Sequence, residues 1–202
     1  TWFIRLRAHT EFDAGACAKL IDYLLDSSRP PRYKAALLQG LRIKRETDLE
    51  NSELLRALHR RSPRLKVDLP HIIEIADPFD GMTRGPSLSL YVACILAALG
   101  HPTLLNASRR VGPKYGETAA TTLRSLGWDS TDSFKHAGAS IKKHGFACVL
   151  QRDVFPELHA LSDLRNDMIK RPFLSTFEKM LSPLRANRQY LVTGYVHRDY
   201  RS

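Results

Sequence analysis

Beyond Leu69, short apolar runs rich in β-branched residues alternate with stretches of helical periodicity, and that alternation leaves few folds open. His71-Ile72-Ile73-Glu74-Ile75-Ala76, Pro102 to Asn106, Phe146 to Leu150 and Gln189 to Val196 read as strands. Ser87 to Leu99, Thr118 to Leu126 and Glu157 to Ile169 read as the helices between them. Strands separated by helices cannot pair as tight hairpins, so they form βαβ units and a mostly parallel sheet. No internal repeat or low-complexity tract breaks the pattern.

The first third is helical throughout. Ala18, Leu20, Ile21, Leu24 and Leu25 form one stripe, and Tyr33, Ala36, Leu37 and Leu41 form another after the Pro30-Pro31 restart. Thr47 with Glu50 has capping-box spacing and opens a third helix through Leu54, Leu55 and Leu58. The fold class is therefore α/β: a helical N-terminal domain over residues 1–68, then a mostly parallel sheet flanked by helices over residues 69–202. No apolar run reaches the ~18 residues of a membrane helix. Cys17, Cys94 and Cys148 lie far apart among apolar or small neighbours, as reduced thiols of an intracellular compartment would. The expectation is a cytoplasmic protein, or one of an organelle stroma if the source is eukaryotic, with no membrane partner.

The 202 residues carry a formal charge of +10, with +5 in residues 1–70 and +5 in residues 71–202. A surplus so evenly spread favours polyanions or phosphorylated ligands without choosing between them. Two loops are placed to meet such ligands. Asp77 to Ser89 runs from a strand to a helix and holds Asp80, Gly81 and Arg84, with Ser87 and Ser89 at the helix start. Backbone N–H groups at such a start hold phosphate, although Pro78 and Pro86 each remove a donor; a plain connecting turn satisfies the same residues. Ser108 to Glu117 holds Arg109, Arg110 and Lys114 with two glycines, at the strand end where open α/β sheets bind ligands. A third basic group, Arg165 with Lys170 and Arg171, reads more simply as surface ion pairing with Asp167. No GxSxG, HExxH, complete P-loop or GxGxxG occurs, so the residues name no catalytic group and no metal ligand.

The order of these segments resembles anthranilate phosphoribosyltransferase. Leu41-Arg42-Ile43-Lys44-Arg45-Glu46-Thr47 is similar to its L-R-x-K-G-E-T run. Ile73 to Gly81 stands where that family has the diphosphate loop G-T-G-G-D-G, and Ser108-Arg109 with Lys114-Tyr115-Gly116 where it has G-N-R-S-V-S-S-K-S-G. Glu157 to Arg171 is similar to its H-P-A-M…V-R-R…R-T segment, and Tyr190 to Gly194 with His197 to its Q-L-V-G-V-x-H-P strand. The resemblance implies a homodimer formed through the N-terminal helices, Arg165 and Ser108 near the carboxylate of an aromatic acceptor, and Mg²⁺ as cofactor if the protein is active.

The departures bear on activity. Ala76, Asp77, Pro78 and Phe79 replace the glycines that let backbone approach a diphosphate, so that only Asp80-Gly81 remains. The sequence stops after Tyr200, ahead of the family's magnesium-binding Asp-Glu pair, which implies a piece of a longer polypeptide, incomplete at its C-terminus. With its basic charge and altered loop, the chain resembles the family's non-canonical, nucleic-acid-binding branch. Two expectations follow. The first is a non-catalytic binder of nucleic acid or another polyanion, with nucleic acid or a phosphorylated small molecule as partner, using Asp80, Gly81, Arg84, Ser87, Ser89, Arg109, Arg110 and Lys114. The second is an active, Mg²⁺-dependent phosphoribosyltransferase acting on anthranilate or a related aromatic amine.

Overall fold

The computed structural model describes residues 2–128, 133–168 and 171–194. Four helices come first: α1 (Trp2–Arg7), α2 (Ala14–Leu25), α3 (Pro31–Lys44) and α4 (Asp48–Arg61). The capping box at Thr47 forms, and its glutamate does more than cap. Glu50 is fully buried; its Oε1 accepts from Phe12 N at 2.8 Å, and its Oε2 from Thr47 N at 2.9 Å and Lys44 Nζ at 2.7 Å. One carboxylate thereby ties the α1–α2 loop, the end of α3 and the start of α4 together.

After the short strand β1 (Leu65–Lys66) come β2 (Ile72–Ala76), α5 (Ser89–Ala98), β3 (Thr103–Ala107), α6 (Ala119–Ser125), α7 (Ala137–His144) and β4 (Phe146–Leu150). Helices α8 (Gln151–Val154), α9 (Pro156–His159) and α10 (Leu174–Phe177), then β5 (Leu184–Arg185) and β6 (Gln189–Thr193), complete the described chain. The main sheet has the order β4-β3-β2-β6 with every pair parallel, and β1 pairs with β5 in a second, two-stranded parallel sheet. All four expected strands are present; the part of the last run beyond Gly194 lies outside the described residues.

Strand alternation divides the core between two faces. Ile72, Leu104, Ala147 and Val149 pack into one buried cluster with Leu20, Leu37, Leu41, Leu54 and Leu58 of the helical layer. Ile75, Leu105, Phe146 and Cys148 face α5 and α6 through Leu90, Ala93, Ala119 and Leu123. Helix α5 is apolar all round, so Val92, Ile95 and the flanking Leu88 and Leu99 remain exposed, as do Tyr190, Leu191 and Val192 on the edge strand β6.

One expected helix differs. In place of a continuous helix from Glu157, α9 ends at His159 and a 3₁₀ stretch runs Ala160–Asn166. The tighter winding turns Leu161, Ser162, Leu164 and Arg165 inward. Arg165 is thus a buried residue and not a surface partner of Asp167. Ile169 and Lys170 lie outside the described residues.

Glu74 sits fully buried in the central strand, where burial raises its carboxyl to about 7 despite Ser182, Arg185 and Asn106 nearby. A carboxyl raised in the folded state stabilises the fold below its ordinary value near 4.5 and loses that contribution as pH climbs to about 7. Glu74→Gln is therefore expected to stabilise the protein at pH 8, by up to about 3 kcal/mol, and to have little effect at pH 4. Glu50→Ala leaves a buried ammonium and two amides without their acceptor and should cost about 3–5 kcal/mol. Urea unfolding of each variant at the two pH values measures both effects.

Candidate functional site

The loops that follow β2 and β3 are zipped to each other, and the glycines in them serve that contact. Met82 N donates to Glu117 O and Glu117 N to Met82 O, both at 2.8 Å, while Gly116 N donates to Asp80 O at 2.9 Å. Gly81 has φ +74°, and a Cβ there would stand 2.5 Å from the Gly116 carbonyl. Only glycine tolerates both the positive φ and that approach. Backbone of the neighbouring loop thus stands directly against Gly81.

Asp77 occupies the start of the following helix. Its carboxylate accepts from Ser87 Oγ at 2.9 Å and Ser89 Oγ at 2.6 Å, and Ser87 is fully buried. The hydroxyls expected to meet a ligand anion thus already hold an internal one. Phe79, in the same loop, is buried at 2% exposed.

Beside these loops a cavity of about 350 Å³ opens between the end of α3 and the C-terminal side of the sheet. Arg42, Lys114, Arg165, Arg171 and Lys179 line it, against two carboxylates, Asp80 and Glu178. Asp80 is 5% exposed; its Oδ2 lies 2.9 Å from Arg171 Nη2 and its Oδ1 3.7 Å from Lys114 Nζ. Lys114 Nζ also donates to Gly81 O at 3.3 Å. Arg165 donates to Glu178 Oε2 in a fully buried pair and to Gly112 O at 3.4 Å. Burial pushes the Glu178 carboxyl up and the Arg165 guanidinium pulls it back down. Lys179 is held below the ordinary lysine range by burial, with Asp77, Glu178 and Asp80 offsetting part of that shift.

Of the ten residues expected from sequence, Asp80, Lys114 and Arg165 line the cavity. Ser108 is buried at the end of β3, its carbonyl accepting from Thr118 Oγ1 at 2.7 Å, and it does not line the cavity beside Arg165. Arg110 lies 3.7 Å from Glu117 on the surface, while Arg84 is exposed and Arg109 half-buried, neither with an ion-pair partner among the described residues. Arg42, Arg171, Glu178 and Lys179 went unassigned. Arg165 carried a legible signal, since it falls on the same helical stripe as Leu161 and Met168. Glu178 and Lys179 carried none, because their burial depends on chain brought in from β2 and the 3₁₀ stretch.

Among the described residues no three His, Cys, Asp or Glu side chains come together. Asp77 is taken by two hydroxyls, and Asp80 and Glu178 each face a guanidinium. These carboxylates do not fit magnesium, which needs open oxygens in near-octahedral array. No helix of the described residues is long and apolar enough to cross a membrane.

No protein-family model matches the chain. It is similar to anthranilate phosphoribosyltransferase of Nitratidesulfovibrio vulgaris, 25% identical over 169 residues, covering 83% of this chain and 49% of that protein. The enzyme of Caldivirga maquilingensis is 26% identical over 157 residues, covering 78% and 46%. The chain thus spans about half the length of the curated relatives it matches. Among solved structures, anthranilate phosphoribosyltransferase of Thermus thermophilus superposes with a TM-score of 0.72 at 18% identity, covering 93% of this chain and 58% of that one. The Saccharomyces cerevisiae enzyme in complex with PRPP (phosphoribosyl pyrophosphate) and Mg gives 0.62 at 16% identity, covering 88% and 52%. In fold this chain is that of anthranilate phosphoribosyltransferase, and in sequence it is similar to that enzyme over most of its length.

Proposed function

We propose that this anthranilate phosphoribosyltransferase-like protein binds a phosphorylated small molecule in the cavity between α3 and the sheet, without transferring a phosphoribosyl group. The observation that carries the reading is the imbalance of charge there: five cationic side chains against two carboxylates around about 350 Å³. A cavity of that volume suits a small ligand, at the low end of the range of small-molecule sites. Against transfer stand Asp77, whose carboxylate takes the Ser87 and Ser89 hydroxyls, and the buried ring of Phe79. These two residues place charge and bulk where the related enzyme has its diphosphate loop.

A second reading, nucleic acid, is favoured by Arg84 and Arg109, which have no ion-pair partner among the described residues and lie off the cavity. The two readings differ in salt dependence. An oligonucleotide held through about six phosphates loses roughly a thousandfold in affinity between 50 and 200 mM salt, whereas a cavity-bound pyrophosphate loses far less.

Calorimetry with inorganic pyrophosphate is expected to show one site, weakened about tenfold by Arg171→Ala and by Lys114→Ala, because each removes a charge-assisted bond. Phosphoribosyl pyrophosphate with Mg²⁺ and anthranilate should not be consumed. Absence of pyrophosphate binding overturns the pocket reading. Mg²⁺-dependent turnover restores the transferase reading, and an oligonucleotide bound with a steep salt slope the nucleic-acid one.

A further inference from the structure

Lys179 stands apart from the other cations of the cavity. It is 8% exposed, lines the cavity, and makes no ion pair within 4.0 Å among the described residues. Arg165 and Arg171 cannot lose a proton at any ordinary pH, and Lys114 is partly exposed and lies 3.7 Å from Asp80. Two more polar groups on the cavity lining, Ser175 Oγ and Glu178 Oε1, are buried without a hydrogen-bond partner.

A largely buried lysine on the wall of a cavity, among guanidinium groups that attract phosphate, has the setting of an imine-forming amine. We propose that Lys179 forms a Schiff base with the carbonyl carbon of a phosphorylated aldehyde, whose phosphate is held by Arg171 and Lys114. The inference rests on the reading of the cavity as a phosphate site and names the ligand class it takes. The neutral Nζ attacks the carbonyl carbon, and a C–N bond forms to give a carbinolamine. Both nitrogen protons then depart with the carbonyl oxygen as water, leaving the C=N bond; no oxidant or metal enters. Ser175 Oγ and Glu178 Oε1 are free to accept hydrogen bonds from the carbinolamine and the departing water. Burial lowers the proton affinity of Lys179, which eases loss of the proton that the attack requires.

The test treats the chain separately with pyridoxal 5′-phosphate and with ribose 5-phosphate, reduces with borohydride, and maps adducts by peptide mass spectrometry. Expected is an adduct on Lys179 ahead of the remaining lysines, suppressed by inorganic pyrophosphate and lost in Lys179→Arg. Labelling by the pyridoxal compound alone identifies a ring-bearing ligand, and labelling by the pentose an open-chain sugar phosphate; either supports the inference. An adduct on Lys114 in place of Lys179, or equal unprotected labelling of surface lysines, overturns it. Pyrophosphate binding seen by calorimetry without any Lys179 adduct overturns the imine alone. Absence of both overturns the phosphate reading of the cavity as well.

Discussion

Asp80 faces Arg171 across 2.9 Å and Lys114 across 3.7 Å while almost wholly buried, and the cavity takes its character from that contact. The carboxylate holds two cations in place that would otherwise repel each other, and it leaves them oriented toward the same space. Its main-chain oxygen accepts from Gly116 N, so the group that gathers the charges also belongs to the zipper between the two loops. The Arg165–Glu178 pair repeats the arrangement deeper in the wall. Buried pairs of this kind contribute little net stability, yet removing one partner is costly because the other charge is stranded. Loss of function in an Arg165 variant would therefore report the stranded Glu178 before it reported any ligand.

The segment after β2 carries a carboxylate, a proline and a buried aromatic ring in succession, at Asp77, Pro78 and Phe79. Asp77 satisfies the Ser87 and Ser89 hydroxyls from within. The proposed phosphate site is a ring of side chains, and side-chain cations bind phosphate by charge with less geometric demand than a backbone cradle.

The architecture was legible because its signals are local. Helical stripes, the Thr47–Glu50 spacing and short β-branched runs each report one element, and the parallel order follows from their alternation. The site was less legible. Asp80 and Lys114 follow from loop position as cavity-lining residues, whereas the approach of Gly116 that goes with the positive φ of Gly81 has no local sign in the sequence. Nothing local shows that Asp77, ten and twelve residues earlier, reaches the hydroxyls of Ser87 and Ser89. Arg42, Glu178 and Lys179 are joined to the cavity by packing between distant segments, which no spacing rule encodes.

The most direct test of the account is a crystal structure of the protein grown with inorganic pyrophosphate and Mg²⁺. Phosphate oxygens are expected against the side chains of Arg171 and Lys114, with the Asp77–Ser87 contact intact. Pyrophosphate and a metal ion ordered against the backbone amides of residues 76–79 would contradict it.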